Sequence, residues 1–131
     1  MNRQLLFLGV FLSGVAMLST LAILFLTDET TNNLNSYSNF QIALQVNLFH
    51  AIVLFVLAQA KRKYNDKNFV TVGYLFVIST LLLALPAYIG VFNSFGEVLF
   101  DLVGLFGGIG LIISWVVLTK SFYNIYYPKR A

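Results

Sequence analysis

The sequence predicts an all-α membrane protein: a four-transmembrane-helix bundle, residues 1–131 forming a single membrane domain, with both termini cytoplasmic. Composition is the first reason, since 59% of the residues are hydrophobic and only 10% carry charge. Spacing is the second. The charges cluster and leave apolar runs of about twenty residues, the length that crosses a hydrocarbon core. The third is the distribution of charge along those runs. On a four-span path, Arg3, Lys61, Arg62, Lys63, Lys67, Lys120, Lys129 and Arg130 all fall on one side, while Asp28, Glu29, Glu97 and Asp101 fall on the other. Basic residues mark the cytoplasmic face, so that side holds both termini.

The same composition narrows the chemistry. There is no cysteine, which removes disulfides, thiolate metal sites, cysteine-held clusters and thioether-linked haem. The net charge of +3 sits beside the apolar runs. It is therefore assigned to membrane orientation rather than to nucleic acid.

The first span covers residues 5–26. Arg3 ahead of it resembles the start of a signal peptide, but the apolar run exceeds the about 7–15 residues of a signal core, so a retained span is expected. Gly9, Ser13, Ala16 and Thr20 form a stripe of small residues that admits a neighbouring helix closely. Residues 28–39 are polar and rich in asparagine, and Ser38 with Gln41 has capping-box spacing for the second span, residues 40–60. The basic turn from Lys61 to Lys67 leads to the third span, residues 68–91. Pro86 lies near its far end, and a kink or unwinding is expected at residues 82–86 because proline removes one backbone bond.

Ser94 with Glu97 repeats the capping-box spacing ahead of the fourth span, residues 97–119. Glu97 and Asp101 lie in its first turns, where the helix dipole favours negative charge. Gly104, Gly107, Gly108 and Gly110 follow, and Gly104 with Gly108 has the GxxxG spacing of a close helix contact. The tail, with Lys120, Tyr123, Tyr126, Tyr127, Lys129 and Arg130, reads as an interfacial anchor.

Chemistry inside the membrane centres on the second span. It carries the only histidine, His50, and an ionisable group at that depth raises a functional hypothesis. Helical spacing puts Ala43, Asn47 and His50 on one face, with Gln41, Gln45 and Gln59 nearly opposite. The functional reading is a proton relay, a quinone or haem ligand, or recognition of a polar headgroup. The structural reading is a neutral imidazole sharing hydrogen bonds with Asn47, Ser79, Thr80 or Tyr88. The second is preferred, because a relay needs another titratable group at similar depth and no other span supplies one. A haem would need its second axial ligand from another copy. The outer carboxylates read as a solvated surface rather than a cation site. The glycines of the fourth span lack the Lys-Ser/Thr of a phosphate loop. No catalytic constellation is visible, so no catalytic or metal-ligating residue and no cofactor is expected.

The run from Phe40 to Ala51 resembles the second helix of a family of small bacterial membrane proteins known as domain of unknown function 423. In that family a tyrosine or glutamine precedes a histidine followed by small and aliphatic residues. Thr80 to Tyr88 resembles its third helix, and Leu105 to Trp115 its fourth, with paired glycines before a tryptophan. The matching positions are Gln41, His50, Tyr88, Gly107, Gly108 and Trp115, over residues 40–118. The first helix departs from the family pattern, Leu105 stands where a proline is usual, and Pro86 replaces a small residue. The resemblance implies a four-helix membrane protein of the bacterial inner membrane.

The candidate polar intramembrane site is thus His50, Asn47, Gln45, Gln41 and Tyr88, and the candidate helix-packing residues are Gly104, Gly107, Gly108 and Trp115. The function expected is that of an accessory or scaffolding subunit of a larger membrane complex. Its partners would be membrane lipids and other membrane-protein subunits or further copies of itself. The alternative is a lipid- or quinone-binding protein, or a small transport component, using a cleft around His50.

Overall fold

The computed structural model describes residues 3–26, 34–64, 67–92 and 97–127. They form four helices: α1 (Arg3–Leu26), α2 (Leu34–Tyr64), α3 (Asn68–Phe92) and α4 (Glu97–Tyr126). Each of the four is long and apolar enough to cross a membrane, so the chain has the architecture of a multi-pass membrane protein. Lipid tails give no hydrophobic drive for helices to associate, so contacts between them rest on close packing and hydrogen bonds.

The helix ends lie further out than the apolar runs. α2 begins at Leu34 rather than residue 40, which places Ser38 inside the helix and overturns the capping-box assignment there. Residues 34–39 contain no proline or glycine, so nothing in them stops the helix from starting early. The other end of α2 runs past Ala60 through Lys61, Arg62 and Lys63 to Tyr64. Lysine and arginine are good helix formers, and their charge complements the helix C-terminus. α4 likewise continues to Tyr126, taking up most of the tail. Pro86 lies within α3, which continues as helix to Phe92; the expected unwinding does not occur. Residues 28–33, Ser94 of the second capping box, Lys129 and Arg130 lie outside the described residues.

α3 is the central helix. It packs against α1, α2 and α4, and α1 also packs against α2. Neighbours in sequence run antiparallel. Gly9 of α1 meets the Phe55 ring of α2, His50 of α2 meets Phe76 of α3, and Phe69 of α3 meets Phe122 of α4. A core of Leu5, Leu12, Leu54, Leu57, Phe69, Val72 and Phe76 from α1, α2 and α3 is fully buried, and Leu111 and Leu118 of α4 join it. A smaller cluster toward the other end joins Ile23, Phe40, Ala43, Ala84 and Tyr88. This alternation gathers Arg3, Lys61, Arg62, Lys63, Lys67 and Lys120 at one end of the assembly, with Asp101 at the other.

Glycine decides where backbones meet most closely: at Gly107, one of the expected positions, and at Gly110 rather than at Gly104 and Gly108. A Cβ on Gly107 would lie 2.5 Å from the Leu83 nitrogen and 2.8 Å from both the Leu82 carbonyl carbon and the Ser79 oxygen. The α4 backbone therefore rests directly on the α3 backbone at this point. Gly110 closes on the Ser79 side chain one turn further along. Gly104 and Gly108, by contrast, would place a Cβ in open space with nothing within 4 Å. Within the chain the α3–α4 seam is Gly107 and Gly110, and among the described residues no other helix of the chain packs on Gly104 or Gly108. Helical spacing shows that Gly104 and Gly108 share a face, but only the crossing of α3 and α4 determines which face is used. Gly73 provides a further close approach, receiving Leu5 of α1 beside Leu54 of α2.

Candidate functional site

The polar residues of the interior gather between α2, α3 and α4 in two connected groups. The first is built around His50, which is buried. Its Nδ1 lies 2.8 Å from the Val46 carbonyl oxygen, one turn back on α2. Its Nε2 accepts a hydrogen bond of 3.2 Å from the Trp115 indole Nε1–H of α4. An indole nitrogen can only donate, so Nε2 must be bare and the proton must sit on Nδ1, directed at Val46. The imidazole in this arrangement is neutral, with both nitrogens engaged.

Aromatic rings enclose that contact. Phe76 of α3 is fully buried and lies 5.3 Å from the His50 ring and 5.2 Å from Trp115, centroid to centroid. Phe49 lies 5.3 Å from His50 and 6.2 Å from Trp115. Several of these pairs are tilted or edge-on, the arrangements favoured by ring quadrupoles. Trp115 was expected as a packing residue. It packs, and it also ties α4 to α2 through His50. That pairing had no signal in the sequence, since the residues lie 65 positions apart on different spans.

The second group is Asn47 and Tyr88. Asn47 is fully buried and donates from Nδ2 to the Tyr88 hydroxyl oxygen at 2.9 Å. Phe40 stacks against the Tyr88 ring at 5.3 Å. Burial of an amide is tolerated only when its polar atoms are matched, and here one half is matched. Asn47 Oδ1 is buried without a partner, as is Thr80 Oγ1 on α3.

The five candidate site residues therefore divide. His50, Asn47 and Tyr88 lie in the interior, whereas Gln41 and Gln45 are exposed on the outer face of α2 and do not join them. Ser79 and Thr80, considered as partners for His50, do not hold it; Val46 and Trp115 do. Other hydroxyls turn back on their own helices. Ser114 donates to the Gly110 carbonyl at 2.7 Å and Ser121 to the Val117 carbonyl at 3.0 Å. Among the described residues, no three His, Cys, Asp or Glu side chains gather as a metal site would require. Asp28 and Glu29 lie outside the described residues.

The family model described as Protein of unknown function (DUF423) matches residues 25–108, which is more than half of the chain. The chain belongs to this family. The match takes in α2, α3 and the first part of α4, and with them Gln41, His50, Tyr88, Gly107 and Gly108. It leaves out most of α1 and stops short of Trp115. No curated protein and no solved structure matches the chain.

Proposed function

We propose that this member of the DUF423 family is an accessory or scaffolding subunit of a larger membrane complex in the bacterial inner membrane. The observation that carries the reading is the bare side of α4. α4 is the least covered of the four helices and packs mainly along α3. Gly104 and Gly108 open its backbone to whatever lies beside it, with exposed Leu105, Ile109 and Ile112 toward the same side. Small residues spaced four apart admit another helix closely, and α3 does not use this pair. The partner is another membrane-protein subunit or a further copy of the chain, and lipid covers the rest. Occupation of both His50 nitrogens supports a structural role for the imidazole.

Purification from its native membrane in a gentle detergent tests the reading. A stoichiometric protein partner, or a stable oligomer of the chain, is the expected result. Isolation as a monomer carrying bound lipid or quinone would contradict it and favour the alternative, a lipid- or quinone-binding protein or small transport component around His50. The observation behind that alternative is the pair of unmatched polar atoms on Asn47 and Thr80.

The orientation proposed puts the basic end, and both termini, in the cytoplasm. Single cysteines at Asp101 and Lys63, both exposed positions, check it in intact cells. An impermeant thiol reagent should label the cysteine at position 101 and spare the one at position 63. Labelling at 63 from outside would reverse the orientation.

A further inference from the structure

Asn47 and Thr80 present two fully buried side chains, each with one oxygen lacking a partner. Their positions along the α2–α3 interface place them together. Going down α2 while going up α3, Phe40 meets Tyr88, His50 meets Phe76 and Leu54 meets Gly73. Asn47 therefore lies level with Thr80. The Tyr88 hydroxyl is fixed beside Asn47 by the 2.9 Å bond from Nδ2. Because that hydroxyl accepts from Asn47, its own proton is left to donate elsewhere.

We propose that Asn47, Thr80 and Tyr88 form a binding site for one internal water molecule between α2 and α3, at membrane depth. The chemistry of the donors and acceptors selects it. Asn47 Oδ1 can only accept, so the guest must donate; the hydroxyls of Thr80 and Tyr88 can each donate, so the guest must also accept. Water does both and commonly bridges two to four otherwise unmatched polar groups in protein interiors. A metal cation fits less well, because all three oxygens are neutral and none of Asn47, Thr80 and Tyr88 brings a carboxylate to offset the cost of charge at this depth. His50 is not part of the site, since Val46 and Trp115 occupy its two nitrogens.

The water adds a second polar link between α2 and α3, beside the direct bond from Asn47 to Tyr88. Two matched hydroxyls show the contrast. Ser114 and Ser121 satisfy themselves on their own helices, while Thr80 does not and so remains available to a guest.

Water-edited solid-state NMR of the full chain in lipid bilayers tests the site. Magnetisation from water should reach the Asn47 side-chain amide, while the fully buried Leu54 stays dry. Thr80→Val has nearly the shape of threonine without the hydroxyl, and should bring the Asn47 signal down toward the Leu54 level. Thr80→Ser, which restores a hydroxyl, should recover it. The same spectra with sodium replaced by choline should be unchanged. Absence of transfer to Asn47 in the unaltered protein would overturn the proposal. So would transfer that survives Thr80→Val undiminished, or a signal that depends on sodium, which would indicate a cation instead.

Discussion

Replacing Gly107 with leucine pushes α4 off α3 and destabilises the protein, while the same change at its neighbour Gly108 leaves stability nearly untouched. The difference lies in what a new side chain meets. At Gly107 the first added carbon already falls 2.5–2.8 Å from backbone atoms of Ser79, Leu82 and Leu83. Backbone cannot rotate aside as a side chain can, so the two helices must separate along their seam. Overpacking of this kind costs about 1–3 kcal/mol. At Gly108 nothing lies within 4 Å, and a substitution into open space typically changes stability by less than about 0.5 kcal/mol. Thermal unfolding of both variants in one detergent gives the comparison. Equal losses at the two positions would contradict the seam. A Gly108→Leu protein that folds normally but loses its membrane partner would support the proposed use of the bare α4 face.

The second large effect is expected at the His50–Trp115 contact. His50→Leu removes the acceptor for the Trp115 indole and leaves that N–H facing an apolar side chain. An unmatched buried donor costs about 1–3 kcal/mol; the partial exposure of Trp115 puts the expectation toward the lower end. The Val46 carbonyl loses only a supplementary bond, because it remains within the helical ladder of α2. Trp115→Phe removes the donor instead, leaving Nε2 bare. Since the two residues share one bond, the double variant His50→Leu with Trp115→Phe should lose less stability than the two single losses added together. His50→Gln offers an amide oxygen to the indole and should be tolerated. A His50→Gln protein that folds normally yet loses its cellular role would show that the imidazole does chemistry beyond holding α4.

The spans were legible in the sequence because lipid imposes one strong requirement, an unbroken apolar run about twenty residues long. Their ends were less so. Residues 34–39 and 120–126 are mostly polar or aromatic yet contain no helix breaker, so the helices extend beyond the apolar runs that marked them. Asn47, His50 and Tyr88 could be singled out individually as polar residues at depth. Spacing within α2 already sets Gln41 and Gln45 nearly opposite His50, but which residues touch depends on the packing of separate helices, and the Trp115–His50 bond does not follow from that spacing. The glycines make the same point. GxxxG spacing in α4 drew attention to Gly104 and Gly108, whereas the contact uses Gly107 and Gly110, three apart, because α3 crosses on that side. The orphaned oxygens of Asn47 and Thr80 lay beyond any sequence signal, since an unmatched atom is defined only by its surroundings.

The proposed role of His50 is a structural tie: a neutral ring that donates to Val46 and accepts from Trp115. The nitrogen spectrum of ¹⁵N-histidine-labelled protein in lipid bilayers at neutral pH measures this directly, because the chain contains a single histidine. The two ring nitrogens should differ, with the proton on Nδ1 and Nε2 bare, and Trp115→Phe should shift the Nε2 resonance. A doubly protonated ring, or the proton on Nε2, would contradict the account.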